Sequence, residues 1–233
     1  MAPLLHALWA LWAGEATVSF ALAVTTDGRE ECLERAVESL RASLDPWPDE
    51  CVMVDDSGDP DFAAVMRYVD YTSLVHEQRR GFAAAVESVW REVIRSGAEY
   101  VFHAEDDFTY NEPVDLMAMA SLLDAHPHIA QLALKRQPVN AEEQAAGGFM
   151  QTKPGEFIQR DGWIEHETNF TTNPSLIPAR VIQLALRSGR PLSEPNVTDT
   201  LLEHGYRFGY LGRIEDEPRV EHIGHERMAG WME

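Results

Sequence analysis

Short apolar runs that end in polar turns alternate with amphipathic segments through the first half of this chain. The runs are rich in β-branched or aromatic residues, as buried strands are, and the segments between them repeat apolar residues at helical spacing. The predicted strands span residues 17–26, 51–54, 72–75 and 100–104. The predicted helices span residues 30–44, 61–68 and 82–95. This alternation predicts an α/β fold with a mainly parallel sheet, whose ligand lies at the carboxyl ends of the strands.

The second half of the chain is less regular. Its predicted elements are a helix over 113–125, strands over 129–134 and 169–177, helices over 180–186 and 193–205, and a strand over 206–211. Residues 136–163 contain several glycines and no periodicity, so we expect a long loop with a covering function there. We predict that residues 140–165 are mobile without ligand and close over it, with Trp163 stacking on a bound ring.

Length and composition favour one elaborated domain, since 233 residues with 45% hydrophobic content can bury one good core but not two. The formal charge of −20 opposes attraction to nucleic acid or to an anionic membrane surface, which disfavours nucleic acid without excluding it. Cys32 and Cys51 form no CxxC motif and have no ligand-like pairing with histidine. We therefore expect them to be reduced core residues of a cytoplasmic protein.

The first 16 residues are apolar and include Trp9 and Trp12. They lack a basic region and are too short to span a bilayer, which disfavours both a signal peptide and a membrane anchor. We expect a short helix packed on the domain and no integral membrane contact, with a mistaken start codon or a peripheral contact as alternatives. The sequence leaves the oligomeric state open.

Carboxylates directly follow two of the predicted strands. Glu105, Asp106 and Asp107 follow one strand, and Asp55 and Asp56 follow another. Three adjacent carboxylates repel one another, so at pH 7 they favour full solvation, a raised pKa for one of them, or a bound cation. A solvated loop or a cap on the next helix is the alternative for such residues. Their common position at strand ends favours a binding site.

With these motifs in this order, the chain resembles the nucleotide-sugar-dependent glycosyltransferases of the GT-A fold, most closely glycosyltransferase family 2, over about residues 17–226. The matching pieces are, in order, Thr25-Thr26-Asp27, Val54-Asp55-Asp56-Ser57, Arg79 to Ala85, Glu105-Asp106-Asp107 in the place of the family's DxD motif, and Glu194 through Gly205-Tyr206-Arg207. Three positions depart from the family pattern. Glu105 replaces the first Asp of the motif, Glu87 replaces a common Asn, and Ser193-Glu194 replaces a Glu-Asp pair.

The resemblance implies a single GT-A domain with a Rossmann-like sheet, in which residues 17–112 bind the nucleotide-sugar and residues 113–233 bind the acceptor. It implies a metal-dependent, inverting transfer of a sugar from a UDP-, GDP- or dTDP-linked donor to an acceptor hydroxyl. Glu105 and Asp107 are then metal ligands, with His222 or His225 adding a nitrogen ligand. Oxygen ligands that leave positions open for phosphate favour Mg²⁺ or Mn²⁺ over zinc.

The predicted nucleotide-binding residues lie at the ends of predicted strands. They are Thr25, Asp27, Asp55, Asp56, Arg80, Gly81 and Asp106. One alternative is a turn in which Asp56 and Ser57 bond their own backbone. For Arg80 the alternative is a surface ion pair with Glu77.

Glu194, directly ahead of Pro195, lies where the family's late helix presents its general base to the acceptor. An acceptor hydroxyl is a poor nucleophile, so the transfer needs a carboxylate that takes its proton. One alternative is that Glu194 complements the helix dipole, and another is that Asp199 is the base.

Two other functions are alternatives to glycosyl transfer. A sugar nucleotidyltransferase would carry a glycine-rich, basic phosphate loop after the first strand, which residues 25–29 match poorly. A non-catalytic nucleotide-sugar-binding protein would have no need of carboxylates at both the metal and the base positions. The acceptor is left open among a glycan, a lipid-linked sugar, a protein side chain, a small molecule and a modified nucleic-acid base.

Overall fold

A computed structural model of the chain describes residues 18–66 and 70–224. The predicted helix in residues 1–16 lies outside the described residues, as does His225. The strands are β1 Phe20–Thr26, β2 Leu44–Asp45, β3 Glu50–Asp55, β4 Thr72–Val75, β5 Tyr100–Glu105, β6 Phe108–Tyr110, β7 Val114–Asp115, β8 Ile129–Ala133, β9 Phe157–Gln159, β10 Trp163–His166, β11 Ser175–Pro178, β12 Arg207–Leu211 and β13 Val220–His222. The helices are α1 Glu30–Ser43, α2 Pro60–Met66, α3 Phe82–Arg95, α4 Leu116–Ala125, α5 Ala141–Ala146, α6 Ala179–Arg187 and α7 Glu194–Glu203.

One sheet of nine strands, in the order β4-β3-β1-β5-β11-β8-β12-β10-β9, forms the centre of the fold. Strands β4, β3, β1 and β5 pair in parallel. Strand β11 is antiparallel to both β5 and β8, so β8 and its parallel neighbour β12 run in the direction of β5. Strand β10 is reversed and β9 is antiparallel to it. Seven of the nine strands therefore point the same way, which confirms the predicted mainly parallel sheet.

Apolar side chains cover both faces of this sheet. Helices α1 and α4 contribute to the core on one face, and α3, α6 and α7 contribute to the core on the other. All seven residues of β1 are buried, because the strand lies in the middle of the sheet between these two layers. Burial on both faces explains why β1 and β5 appear in the sequence as continuous apolar runs rather than as an alternating pattern.

The second half of the chain departs from the prediction at several places. Strand β11 begins at Ser175 rather than at residue 169, and strand β10 was not predicted. Helix α4 begins at Leu116 rather than at Pro113, because the Asp115 carboxylate accepts a hydrogen bond from the Ala118 N–H at 2.8 Å and caps the helix there. The long loop expected over 136–163 is wrong, since this segment contains α5, a 3₁₀ turn over Met150–Thr152, and β9.

The prediction that Trp163 stacks on a bound ring is also wrong. Its side chain is 4% exposed and belongs to the hydrophobic core on the face of the sheet that α1 and α4 cover. It is therefore not available to stack on a bound ring. The mobility of residues 140–165 in the absence of ligand stays a prediction.

Both cysteines, Cys32 and Cys51, are free thiols, and each is half-buried rather than fully enclosed in the core. Among the helices of the described residues, none has the length and apolar character needed to cross a membrane.

Candidate active site

The ends of three neighbouring parallel strands bring the predicted site residues together. Thr25 of β1 lies opposite Glu105 of β5, and Thr26 lies opposite Asp55 of β3. The Asp106 N–H donates to the Thr25 carbonyl at 3.0 Å, which extends the β1–β5 ladder by one residue into the acidic turn. The carboxylates that follow β5 therefore lie beside the turn that follows β1.

Arg29, in the turn before α1, contacts three carboxylates at once. Its Nε donates to Asp27 Oδ1 at 2.8 Å, its Nη1 to Asp107 Oδ2 at 2.7 Å and its Nη2 to Asp106 Oδ1 at 2.5 Å. Asp106 also accepts a hydrogen bond from Thr26 Oγ1 at 2.6 Å. The planar guanidinium suits such multiple contacts because its donors are fixed in a fork. Arg29 therefore acts as the internal counter-ion of the acidic turn.

Burial and charge act in opposite directions on these groups. Burial raises the pKa of Asp106, against the opposing effects of Arg29 and Thr26. Burial also disfavours ionisation of Asp107, but the hydrogen bond and charge of His222, followed by those of Arg29, outweigh it and lower the pKa of Asp107. The pKa of Arg29 is raised, because the charges of Asp106 and Asp107 outweigh its own burial. Asp107 is therefore ionised more readily than Asp106.

The last described strand closes one side of the acidic turn. Strand β13 pairs antiparallel with β6 and places His222 Nε2 3.0 Å from Asp107 Oδ2. The Ile223 N–H donates to the Asp107 carbonyl at 2.7 Å. A Cβ atom at Gly224 would overlap the side chains of Arg29 and Asp107, so only glycine fits this close approach.

Asp56 anchors the start of α3. Its carboxylate accepts hydrogen bonds from the N–H groups of Arg80 and Gly81, each at 2.8 Å, and its Oδ1 lies 2.7 Å from His76 Nδ1. Gly81 has a φ of 89°, a conformation that residues with a side chain rarely adopt. The guanidinium of Arg80 points to His76, with Nη1 3.4 Å from Nε2. The contacts of Asp56 thus fix the turn between β4 and α3.

Asp55 has a structural contact of its own. It is fully buried, and its Oδ1 accepts a hydrogen bond from the Ser57 N–H at 2.7 Å. The sequence analysis gave as an alternative a turn in which Asp56 and Ser57 bond their own backbone. The structure has a turn of this kind, but the side chain that forms it is that of Asp55.

A cavity of about 270 Å³, named cavity A here, opens at these strand ends. Its lining residues are Thr25, Thr26, Asp27, Arg29, Asp56, Arg79, Gly81, Phe82, Ala85, Glu105 and Asp106. Of the predicted nucleotide-binding residues, only Asp55 and Arg80 are absent from this lining. Arg79 takes the place expected for Arg80, and its Nη2 donates to the Asp27 carbonyl at 3.1 Å. Cavity A therefore has two arginines on its wall, Arg29 and Arg79.

Glu194, the first residue of α7, lies on the wall of a second cavity of about 270 Å³, named cavity B. Its Oε1 accepts two hydrogen bonds from Thr172, one from the backbone N–H at 2.6 Å and one from Oγ1 at 2.9 Å. The other lining residues are Arg136, Glu143, Phe149, Thr152, Lys153, Phe157, Thr168, Asn169, Thr171, Asn173 and Tyr210. Asp199, the alternative base, is exposed and does not line cavity B.

Glu105 links the two cavities. It lines cavity A, and its charge interacts with that of Glu194 on the wall of cavity B. Burial, followed by the charges of Asp107 and Glu194, raises the pKa of Glu105 well above its ordinary value. The surroundings of Glu105 therefore disfavour its ionisation.

Sequence reasoning did not select Arg29 or Thr172. The signal for Arg29 is a basic residue directly after the Thr-Thr-Asp-Gly turn, on a chain whose other strand ends are acidic. Its contacts with the acidic turn span 77 and 78 residues, so only the sheet order brings them together. Thr172 is one of two adjacent threonines before β11 and carries no sequence signal that separates it from Thr171.

No protein-family model matches this chain, and no curated protein matches it. Solved structures do match it. The structure of S. aureus TarS 1–349 in complex with UDP matches with a TM-score of 0.56 and 18% identity, over 87% of this chain and 60% of that chain. The mannosyltransferase PcManGT from Pyrobaculum calidifontis, in complex with GDP-Man and Mn²⁺, matches with a TM-score of 0.52 and 16% identity, over 84% and 55%. GalNAc-T7 with UDP, GalNAc and Mn²⁺ matches with a TM-score of 0.56 and 11% identity, over 90% and 44%.

These likenesses show the fold. The chain has the GT-A fold, as its resemblance to that class implied. The matched region spans 44% to 60% of the length of the three solved chains, so this chain corresponds to a part of each of them.

Proposed function

We propose that this chain is a metal-dependent, inverting glycosyltransferase that moves a sugar from a nucleoside-diphosphate sugar to an acceptor hydroxyl. The observation that carries the proposal is the placement of Glu194. Its carboxylate is held by Thr172 on the wall of cavity B, next to Glu105, which lines cavity A. A transferase needs a base at the boundary between its donor and its acceptor.

Cavity A suits the nucleotide part of the donor. Arg79 offers positive charge to a diphosphate, whose oxygens guanidinium groups bind well, whereas the charge of Arg29 is already compensated by carboxylates. Thr25 and Asp27 lie at the same edge, where they can bond to a ribose hydroxyl or a base N–H. The solved relatives in complex with UDP or GDP-Man support a nucleotide donor of this kind.

Asp107 would hold a divalent cation, and His222 would join it as a ligand only in its neutral form, after Nε2 releases Asp107 Oδ2. Oδ1 of Asp107 is buried and accepts no hydrogen bond from the described residues, while Oδ2 is held by Arg29 and His222. A buried carboxylate oxygen without a partner is costly, and a cation would satisfy it. In the part of the chain that the structure describes, no group of three His, Cys, Asp or Glu side chains is placed to hold a metal ion. Two protein ligands would leave the other positions to phosphate oxygens and water, as is usual for Mg²⁺ and acceptable for Mn²⁺.

When bound, such a cation neutralises the charge that develops on the departing nucleoside diphosphate. Glu105, which lines cavity A, would become its third ligand in the ionised form, and the positive charge of the cation would oppose the burial that disfavours this ionisation. The relatives that hold Mn²⁺ beside GDP-Man or UDP support a metal-dependent reaction.

In the proposed step, Glu194 removes the proton of the acceptor hydroxyl, and the hydroxyl oxygen attacks the anomeric carbon. The bond from that carbon to the diphosphate oxygen breaks, and the electron pair leaves with the nucleoside diphosphate. Attack from the side opposite the leaving group inverts the anomeric configuration. A positioned base of this kind contributes roughly 10²–10⁴-fold to the rate.

Residues 113–233 would then provide the acceptor side, because cavity B is lined entirely from that half of the chain. Its walls carry threonine hydroxyls, asparagine amides and the Phe149 ring. These groups suit an acceptor with several hydroxyl groups and an apolar face.

The test is the release of nucleoside diphosphate from UDP-, GDP- and dTDP-sugars with Mn²⁺ or Mg²⁺, with and without a panel of saccharide acceptors. We expect release that the cation supports and that Glu194→Gln slows at least a hundredfold, while UDP or GDP affinity stays within a few-fold. Asp199→Asn, which changes an exposed carboxylate on the same helix, should behave as the parent. Release of pyrophosphate would indicate a nucleotidyltransferase, and binding without any release would indicate a non-catalytic protein.

A further inference from the structure

Thr172 holds Glu194 in an asymmetric way. Both of its hydrogen bonds go to the same carboxylate oxygen, Oε1, at 2.6 Å and 2.9 Å. No hydrogen bond from the described residues reaches Oε2. One oxygen of the carboxylate is therefore fixed, and the other is left for a ligand in cavity B.

The loop that carries Thr172 is itself anchored to the sheet. Gln131 of β8 is buried, and its side chain accepts a hydrogen bond from the Thr171 N–H at 3.0 Å. The Gln131 amide donates to the Thr171 carbonyl at 2.5 Å and to Ser175 Oγ at 2.8 Å. The loop between β10 and β11 is therefore tied to the central sheet on both sides of Thr172. Rigid support of this kind is what a precisely placed carboxylate requires.

We propose that Thr172 is the positioning residue of the transfer site: its two donors fix Glu194 so that Oε2 receives the acceptor proton. This inference rests on the proposed function, because it gives Glu194 the role of base. A free glutamate samples many rotamers, and only some of them direct a lone pair at the acceptor oxygen. Two donors on Oε1 select one of those orientations and engage the oxygen that does not react.

The hydroxyl and the backbone N–H of Thr172 make separable contributions. A side-chain substitution removes only the hydroxyl donor, so Thr172→Val keeps the shape of the residue and the bond from its backbone N–H. Thr172→Ser keeps both donors. Comparing the two variants isolates the hydroxyl contact from the packing of the side chain.

The experiment measures nucleoside diphosphate release from UDP- and GDP-sugars with Mn²⁺ present and with water as the acceptor, in a full kinetic series. We expect Thr172→Val to lower kcat by about ten- to a hundredfold, the rate equivalent of one hydrogen bond to a charged group, with the donor KM within twofold of the parent. Thr172→Ser should restore most of kcat. In a Glu194→Gln background, Thr172→Val should have little further effect, since residues that act as a unit are not additive.

Thr200→Val is the matched control. Its Oγ1 donates to the Asn196 carbonyl on the same helix at 2.8 Å and accepts from Arg190 Nη1 at 3.4 Å, so this variant also loses side-chain hydrogen bonds, but outside both cavities. It should keep the parental kcat. A Thr172→Val variant with the same kcat as Thr200→Val would overturn the assignment of Thr172. So would a Thr172→Val substitution that lowers kcat as much in the Glu194→Gln background as in the parent. Either result would leave the proposed function standing. A parent protein that releases no nucleoside diphosphate from any donor would refute the proposed function, and this inference with it.

Discussion

Replacing Arg29 by glutamine tests whether the acidic turn depends on its internal counter-ion. Glutamine keeps much of the length of the side chain and some hydrogen bonding, but it removes the positive charge. Asp106 and Asp107 are 1% and 6% exposed, so neither can replace the lost guanidinium contact with water. Asp107 keeps its contact with His222 and Asp106 keeps its contact with Thr26.

The expected cost follows from this burial. Removing one partner of a buried ion pair costs about 3–5 kcal/mol in the free energy of unfolding, because a charge is left uncompensated. For a domain of this size, 1 kcal/mol corresponds to roughly 2–4 °C, so Arg29→Gln should lower Tm by about 6–20 °C. Arg91→Gln is the control. It breaks an exposed pair with Glu87, in which the two side chains are 52% and 43% exposed, and should cost less than about 1 kcal/mol.

The loss of stability caused by Arg29→Gln should depend on pH in a direction that the structure predicts. Burial already raises the pKa of Asp106, and loss of Arg29 removes the charge that opposes this rise. The native variant then holds a proton that the unfolded chain has lost. The pKa of Asp106 is about 7 in the parent, so the stability of the variant relative to the parent should improve mainly as the pH falls from about 9 towards 7.

Urea denaturation at pH 9 and pH 7, followed by tryptophan fluorescence, measures both effects. A titration with Mn²⁺ at pH 7 adds a second readout, because a cation bound at Asp107 would replace part of the lost positive charge. An Arg29→Gln variant that is as stable as Arg91→Gln at pH 7 would refute the reasoning. A deficit that grows as the pH falls would refute the assignment of the buried charge to Asp106.

Three further outcomes are expected. Asp107→Asn should weaken Mn²⁺-supported UDP or GDP binding, measured by calorimetry, at least about tenfold, by analogy with the effect of lost outer-sphere partners on metal sites. Unchanged binding would contradict the assignment of Asp107 as a metal ligand. His103 is fully buried and its pKa is lowered to about 4, so native stability should fall by about 3 kcal/mol as the pH drops from 6.5 to 4, and His103→Asn should flatten that slope in urea titrations. Residues 147–156 contain one 3₁₀ turn as their regular structure, and hydrogen exchange there should slow when UDP or GDP and Mn²⁺ are added. Equal protection without ligand would indicate a fixed segment.

The strands that are buried on both faces of the sheet were predictable from the sequence. Strands β1 and β5 are continuous apolar runs that end in polar turns, and these turns correctly located cavity A. The insertion of the reversed strand β11 between β5 and β8 was not predictable, because hydrophobic patterning defines strands but not their order in a sheet. Trp163 shows the same limit, since an aromatic residue beside glycines has the same pattern whether it lines a ligand site or fills a core.

The site itself was predictable by residue type but not by partner. Carboxylates at strand ends indicated a cation or a phosphate, yet the sequence does not show that Arg29 reaches across the sheet edge to hold two of them. Glu194 was found through its place before Pro195, whereas Thr172 depends on a loop whose course is set by the buried side chain of Gln131. Local pattern therefore predicted carboxylates that line the two cavities, and tertiary contacts determine how they are oriented.

The pairing of β13 with β6 has a consequence for the order in which the chain is made. Arg29 and the acidic turn leave the ribosome early, whereas His222 follows Asp107 by 115 residues. At about 5–20 residues per second, the nascent protein spends roughly 6–23 s with this turn still open on one side. During that interval Arg29 is the cation within the turn that can hold Asp106 and Asp107 together. The counter-ion Arg29 is therefore already synthesised when both carboxylates appear, long before His222 is added.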